Sequence, residues 1–434
     1  MNGANFAKFL NGINMIKVTV NDFSSIKKAC FELGEITLLI GPQASGKSVL
    51  CKLNYFFINI LDSQHQSIRE DLSFSGYQNI IKEKFIDWFP ISAWGNGLFS
   101  ISFRAGDFEI KISRRSYQSS PTDKIKISIS DNLKNDYSSL SKLKQSIEKK
   151  FPSEDDLDFR FMIDFREAAE KSLKKLLGND YIERQIFIPA GRSFFTNLGK
   201  ALAIFEHGRV LDPLTLAFGR IYTSFRDSEY LFFSRPMPKK NDQLIQDINK
   251  ILGGVIQKKG KGDFVLTDDG RKIPFSALSS GQQELLPLLT VLPYLFSGRK
   301  MEKTLTYIEE PEAHLFPEAQ SRLISALSSI LNFNENSLNM VLTTHSPYVL
   351  SKFNNLIKAS MVANISAAHK SSVNKIIPET SWLNPNKLKA YAIVNSELIN
   401  IVDEQGFISS EYLDGISEEI SREYEELLKI EYPE

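Results

Sequence analysis

Glu35-Ile36-Thr37-Leu38-Leu39-Ile40 runs into Gly41-Pro42-Gln43-Ala44-Ser45-Gly46-Lys47-Ser48, and that into Val49-Leu50-Cys51-Lys52-Leu53. The first piece reads as a short buried strand and the third as a helix. The piece between them fits G-x-x-x-x-G-K-[ST] in full. Gly41 and Gly46 let the backbone turn so that successive N–H groups face one point. Backed by a helix N-terminus, that concavity holds phosphate oxygens. Strand, phosphate loop and helix in this order predict an α/β fold arranged around a nucleotide. The spacing assigns Gly41, Pro42, Gln43, Ala44, Ser45, Gly46, Lys47, Ser48 and Val49 to the cradle. Lys47 then reaches the β- and γ-phosphates, and the Ser48 hydroxyl ligates Mg²⁺. The plainer alternative, a glycine-rich turn with no ligand, leaves both flanks as coincidence.

Three further segments carry matching chemistry. Thr304-Leu305-Thr306-Tyr307-Ile308 reads as a core strand that ends in Glu309-Glu310-Pro311-Glu312. Carboxylates at a strand's C-terminal end in an α/β sheet lie at the ligand crevice. Glu309 is placed to hold the metal, directly or through water, and Glu310 to polarise the attacking water. Adjacent glutamates usually mark a solvated helix start, but the apolar strand before them and Pro311 after them argue otherwise. Ser279-Ser280-Gly281-Gln282 precedes Glu284-Leu285-Leu286-Pro287-Leu288-Leu289 and reads as a helix cap. It offers hydroxyl and N–H groups at the helix's positive end, a second phosphate-binding surface. Taken alone, that segment is equally well explained as a bare cap. Finally, Asn339-Met340-Val341-Leu342-Thr343-Thr344 reads as a strand, and His345 at its end reaches a γ-phosphate if the strands are neighbours.

Together these residues resemble the ATP-binding-cassette (ABC)-type ATPases that include RecF and SMC heads and the overcoming-lysogenization-defect (OLD) ATPases. The run Glu309-Glu310-Pro311-Glu312-Ala313-His314-Leu315-Phe316-Pro317 is most similar to the OLD-related branch, where Glu often takes the metal-binding place and Pro follows the catalytic Glu. The resemblance covers residues 16–60 and 186–350 well. It implies Walker A at Gly41 to Ser48, Walker B at Glu309 and Glu310, and a switch histidine at His345. Lys47, Glu310 and His345 would be catalytic, Ser48 and Glu309 metal-ligating, with ATP and Mg²⁺ as cofactors. It further implies a signature at Ser279, Ser280, Gly281 and Gln282 that closes over the nucleotide of a second subunit. Ala313-His314-Leu315 would be a subunit-contact loop. Each ATP would lie between two subunits, so a homodimer or a ring of dimers is expected. Ser280 departs from the commoner Gly. No glutamine loop is obvious, and Gln185 is the candidate.

Composition narrows the setting. The chain has 434 residues, 42% of them apolar, enough for a large core and more than one domain. Its net charge of zero gives no global drive toward nucleic acid or membrane. The two cysteines, Cys30 and Cys51, lack metal spacing and are expected as reduced core thiols of a cytoplasmic protein. There is no signal-peptide pattern and no apolar run of membrane-spanning length, so no membrane partner is expected.

Along the chain the expected organisation is a discontinuous ATPase core, residues 1–60 and 186–350, with an insertion at 61–185 and a C-terminal α/β extension at 351–434. Stretches at 98–103, 108–112 and 125–129 alternate as antiparallel strands with one wet face, and 142–150 and 165–177 read as charged amphipathic helices. No heptad run suggests a long coiled coil. Pro189-Ala190-Gly191-Arg192 ends a strand, and Arg192 either faces the nucleotide or a subunit contact or is a surface arginine at a tight turn. Residues 200–250 look helical. Lys258, Lys259 and Lys261 sit at a hairpin tip that either touches nucleic-acid phosphates or is a solvated turn. A hairpin across Asn395-Ser396-Glu397 and an acidic helix at 416–432 follow, with no Toprim-type acidic motif.

The expected architecture is thus an α/β ABC-type P-loop ATPase head with an antiparallel β subdomain and a helical signature lobe. Two function classes follow from the resemblance. One is an ATP-switched scaffold of bacterial anti-phage defence that controls a separate effector. Its relatives would be two-component systems such as PARIS, with a Toprim nuclease, or Septu, with an HNH nuclease. The other is a RecF-like DNA-binding repair ATPase. A transporter's nucleotide domain is a distant third, since it is usually shorter and lacks the β insertion.

Overall fold

The computed structural model describes residues 16–148, 154–198, 211–227, 242–259, 262–292, 303–335 and 337–409, with four residues beyond 421. Strand character alternates with the environment each strand meets. Lys17–Phe23 (β1) and Ile26–Glu32 (β2) have a buried and a wet face, whereas every residue of Ile36–Ile40 (β3) is buried. The helix Lys47–Arg69 (α1) leaves the phosphate loop directly. Ser100–Ala105 (β4), Phe108–Tyr117 (β5) and Ser120–Ile129 (β6) alternate as expected, and Arg184–Ile188 (β7) returns to the core. Val255–Lys259 (β8), Gly262–Leu266 (β9) and Lys272–Pro274 (β10) lead to the helix Ser280–Val291 (α2). Thr304–Glu309 (β11), the helix Pro317–Phe333 (α3), Leu338–Thr344 (β12) and the helix Pro347–Ala363 (α4) follow. Leu388–Val394 (β13) and Glu397–Asn400 (β14) close the series.

Among the described residues, eleven of these strands form one sheet in the order β6-β5-β4-β1-β2-β14-β13-β3-β12-β11-β7; β8, β9 and β10 form a small separate one. The run β13-β3-β12-β11-β7 is parallel, and β6-β5-β4-β1-β2 is antiparallel. Residues 61–185 therefore supply β4 to β6 as a continuation of the main sheet through β1, not as a sheet of their own. Residues 351–434 supply β13, which pairs with β3 inside the sheet. Asn395 and Ser396, both at positive φ (49° and 68°), make the two-residue turn from β13 to β14.

The sheet separates two apolar cores. One joins α1 to the antiparallel wing and to Leu39, Tyr307 and Val341; the other packs α2, α3 and α4 against Leu38, Ile308 and Leu342. Phe57 of α1 stacks on Phe103 of β4 at 5.2 Å, so the wing braces the phosphate-loop helix. Truncating such a buried ring costs about 3–5 kcal/mol.

Some expectations change. Cys51 is buried in α1, but Cys30 is exposed on the wet face of β2 and is not a core thiol. The expected helices at 142–150 and 165–177 belong to longer ones, Asp131–Glu148 and Glu154–Leu177. Helices Pro213–Asp227 and Asp242–Leu252 lie in the stretch 200–250, with 199–210 and 228–241 outside the described residues. Most of the acidic helix expected at 416–432 also lies outside them. Among the described residues no helix is long and apolar enough to cross a membrane.

Candidate nucleotide site

Parallel register brings the motif-bearing loops to one edge. Thr344 of β12 lies beside Ile40 of β3, Glu309 of β11 lies beside Thr343, and Ala392 of β13 flanks Ile40 on its other side. The phosphate loop, the Glu309–Glu312 turn and His345 all leave the sheet there, at the C-terminal ends of the strands.

The loop needs its glycine. Gly46 precedes α1 at φ 109°, and a Cβ there would lie 2.8 Å from Ile26 Cγ1 and from Ser25 Oγ. No side chain caps the first turn of α1, which leaves its N–H groups directed at the loop's concavity. Lys47 is folded back over the loop and donates to the carbonyls of Gly41 (2.8 Å) and Pro42 (2.9 Å). Burial lowers its pKa, against the pull of Glu310, Glu309 and Glu312. Ser48 is exposed. Ser45 Oγ is buried with no hydrogen-bond partner among the described residues.

Glu309 is 7% exposed. Its Oε2 accepts from the Ala190 N–H at 3.3 Å, while Oε1 is buried and unpartnered among the described residues. A buried carboxylate oxygen with no donor suits a cation or its water, so these residues fit a Mg²⁺ held together with Ser48. Glu310 follows at φ 43°, left-handed and uncommon for a residue with a Cβ. Its N–H donates to Thr343 O (3.0 Å) and Oγ1 (3.2 Å), and its Oε1 lies 3.1 Å from His345 Nε2.

Two carboxylates that the sequence reading left without a role belong to this framework. Glu312 Oε1 accepts from Thr344 Oγ1 (2.5 Å) and from the His345 N–H (3.0 Å), so it fixes the turn that presents His345. Glu284 of α2 is 1% exposed and accepts from the N–H groups of Arg192 (2.7 Å) and Ser193 (2.9 Å). The available signal for Glu284 was an acid opening the apolar run that continues to Val291.

Two readings are corrected. Arg192 is neither at the surface nor aimed at a nucleotide: it is 0% exposed. Its guanidinium donates to the carbonyls of Pro189 (3.0 Å), Glu309 (2.5 Å), Glu310 (3.0 Å) and Glu284 (3.2 Å). Burial lowers its pKa, and Glu284 works in the opposite direction. Gln185 is no glutamine-loop residue. It pairs with Leu305 at the start of β11, the end of the sheet away from Glu309. There its amide donates to Tyr55 O and accepts from the Tyr307 hydroxyl, a half-buried structural tie.

Ser279 to Gln282 form a closed cap. The Gln282 N–H donates to Ser279 Oγ (3.4 Å), the Ser279 N–H donates to Gln282 Oε1 (3.0 Å), and Gln282 Nε2 donates to Leu252 O (2.7 Å). A Cβ on Gly281 would lie 2.7 Å from His314 O, so this segment rests on the 313–315 loop of its own chain. No hydrogen bond joins it to the phosphate loop among the described residues. Lys258 and Lys259 pair with Asp263 and Gly262 in the β8–β9 hairpin, but their side chains, and all of Lys261, lie outside the described residues.

A family model described as "AAA domain, putative AbiEii toxin, Type IV TA system" matches residues 36–351, a span that includes every motif above. Solved structures similar to the chain include the SMC head domain from Thermotoga maritima, at 12% identity and a TM-score of 0.34, covering 90% of this chain and 98% of that one. Another is an SmcHead bound to the C-winged helix domain of ScpA, at 11% identity and a TM-score of 0.40, covering 91% and 99%. A third is an Smc head domain with an extended coiled coil bound to the C-terminal domain of ScpA, derived from Pyrococcus furiosus, at 11% and 0.37, covering 94% and 99%. No curated protein matches the sequence.

Proposed function

The chain belongs to the AAA-domain family whose model matches residues 36–351, and on that premise we propose that it binds ATP at Gly41 to Ser48 and hydrolyses it with Glu310 as base. The observation that carries this reading is the pair Glu310 Oε1 and His345 Nε2, 3.1 Å apart at the strand edge that also bears the phosphate loop. Lys47 would exchange the carbonyls of Gly41 and Pro42 for phosphate oxygens. The first turn of α1 would meet the same phosphates with its free N–H groups. Mg²⁺, held by Ser48 and Glu309, would neutralise charge on the β- and γ-oxygens. Glu310 would orient the attacking water and take its proton. His345, held by Glu312 through its N–H, would keep the Glu310 carboxylate in place and face the γ-phosphate.

The proposed wider role is an ATP-switched scaffold. Ser279 to Gln282 would engage the nucleotide of a second copy, with Ala313 to Leu315 at the contact. ATP would join subunits and hydrolysis would release them, a two-state switch biased by binding. The output would be a separate effector protein, a nuclease in the anti-phage reading. The family description names a putative toxin of a Type IV toxin–antitoxin system.

Glu310→Gln tests this. With Mg-ATP the variant should bind nucleotide, lose at least about 100-fold in kcat, and sediment as a larger assembly than the ATP-free protein. Normal turnover would refute the base assignment. Captured from its native cells, the assembly should carry a stoichiometric protein partner; DNA without such a partner would replace the scaffold by the RecF-like alternative.

A further inference from the structure

Beyond those roles, resting on the proposed ATPase reading, we propose that Arg192 is a positioning residue that ties the backbone of Glu310 to the helix α2. Three observations converge on it. The carbonyls of Glu309 and Glu310 lie past the last β7–β11 pair, Ile188 with Ile308, where β7 supplies no further ladder partner. Arg192 takes its place, donating to both carbonyls at 2.5 and 3.0 Å.

Glu310 also holds a left-handed conformation, φ 43°, which a side-chain-bearing residue keeps only when its surroundings over-determine it. Its N–H is held from one side by Thr343 and its C=O from the other by Arg192. Arg192 thus supplies half of what fixes the carboxylate facing His345.

The other end of the clasp is α2. Glu284 lies two residues beyond the Ser279–Gln282 cap. It holds the Arg192 and Ser193 N–H groups with its carboxylate, takes Arg192 Nε with its carbonyl at 3.2 Å, and pairs with the guanidinium at 3.6 Å. The Thr196 hydroxyl adds a bond to Gln283 O at 2.7 Å. A fully buried guanidinium is retained only where its charge and donors are met, and here, besides Pro189 O in its own loop, its contacts reach α2 on one side and Glu309 and Glu310 on the other. A shift of α2, the helix whose start is proposed to meet a second copy's nucleotide, would therefore move the Glu310 carbonyl through one side chain. Lysine cannot replace this fork, because its single nitrogen cannot reach four carbonyls spread over α2, the end of β11 and the residues after β7.

The test is a cycle of Arg192→Lys, Glu284→Gln and the double variant in the full chain. The readouts are the Kd of a fluorescent ATP analogue, kcat and KM for ATP, and amide exchange over residues 309–315. Misplacing a reacting group by about 1 Å costs on the order of 100-fold in rate, so Arg192→Lys should lower kcat by about that factor. Its Kd and KM should stay within about threefold of wild type, and exchange at 309–312 should quicken. Glu284→Gln, which keeps shape and volume, should act in the same direction but less, and the double variant should match Arg192→Lys. Unchanged kcat, an equal loss in Kd, or additive losses would each overturn the proposal. If the wild-type protein hydrolyses no ATP, the ATPase reading fails on its own. Exchange then still decides: wild-type protection at 309–312 in Arg192→Lys rules out the clasp.

Discussion

Two helices in this chain begin with small and hydroxylated residues, and they begin in opposite ways. α1 starts after Gly46 with no side chain turned onto its first N–H groups. α2 starts after Ser279 inside a capping box, with Ser279 and Gln282 satisfying each other's backbone donors. Both ends carry the positive pole of a helix, but only the first is left open for an anion. A glycine at the N-cap leaves the first-turn donors free, and a serine there occupies one of them. A nucleotide that meets α2 has to replace the box or approach beside it. The difference fits the proposed division of roles: α1 leaves its first-turn N–H groups without a side-chain cap, and α2 is capped by its own residues.

The sharpest way to break this contrast is Lys47→Ala. It removes the lysine of the open end, and loss of its charged hydrogen bonds should weaken ATP binding by about 100-fold or more; titration calorimetry checks this, and tight binding would dismiss α1 as the receptor. Next come matched substitutions at the two glycines. Gly46→Ala should lose both ATP binding and stability, since its Cβ would meet Ile26 and Ser25 at φ 109°. Gly281→Ala should shift α2 off the His314 carbonyl and lower stability by about 1–3 kcal/mol, visible as a lower Tm, while ATP affinity in the single chain stays unchanged. Ser279→Ala should cost about 1 kcal/mol through the lost cap, again without touching single-chain affinity.

The smallest expected effect is in pH. Burial holds the Lys47 pKa below 10.5, so the folded chain gives up that proton earlier than the unfolded one does. Stability from this group therefore rises as pH climbs through the lowered value, whereas ATP affinity falls over the same window. Ser279 and Gln282 do not titrate, so α2 should add nothing to either profile. Calorimetry and thermal melts in parallel, from neutral pH upward, check that the two trends oppose.

The residues of the open end were legible because they are contiguous: strand, glycines, lysine and helix stand within nineteen positions, 35–53. The carboxylate turn was legible for the same reason, an apolar strand running into Glu309 and Glu310. What stayed hidden depends on distant pairing. Arg192 reaches Glu284, Glu309 and Glu310 across 92, 117 and 118 residues, and nothing local distinguishes a clasp from a surface arginine. Gln185 looked available because its position along β7 relative to β11 is a matter of register, which the chain does not announce. Glu312 was visible in its motif but silent as to role, since its partners Thr344 and His345 lie on the next strand. The antiparallel wing was read strand by strand, yet its continuity with the parallel half rests on β14, whose ladder with β2 is the single pair Glu397 with Lys28.

The place of β13 has a consequence for how the chain is made. The strand that launches the phosphate loop, residues 36–40, takes one of its two neighbours from residues 388–394. During synthesis β3 therefore waits with both ladder edges bare until residues 338–344 emerge, and with one edge bare until residues 388–394 follow. Pairings so far apart in sequence form slowly, because the intervening chain must close first. An unpaired apolar strand edge is meanwhile a template for other chains. Shortening the chain ahead of residue 388 would leave that edge permanently open, so a fragment containing every nucleotide motif should aggregate where the longer chain folds.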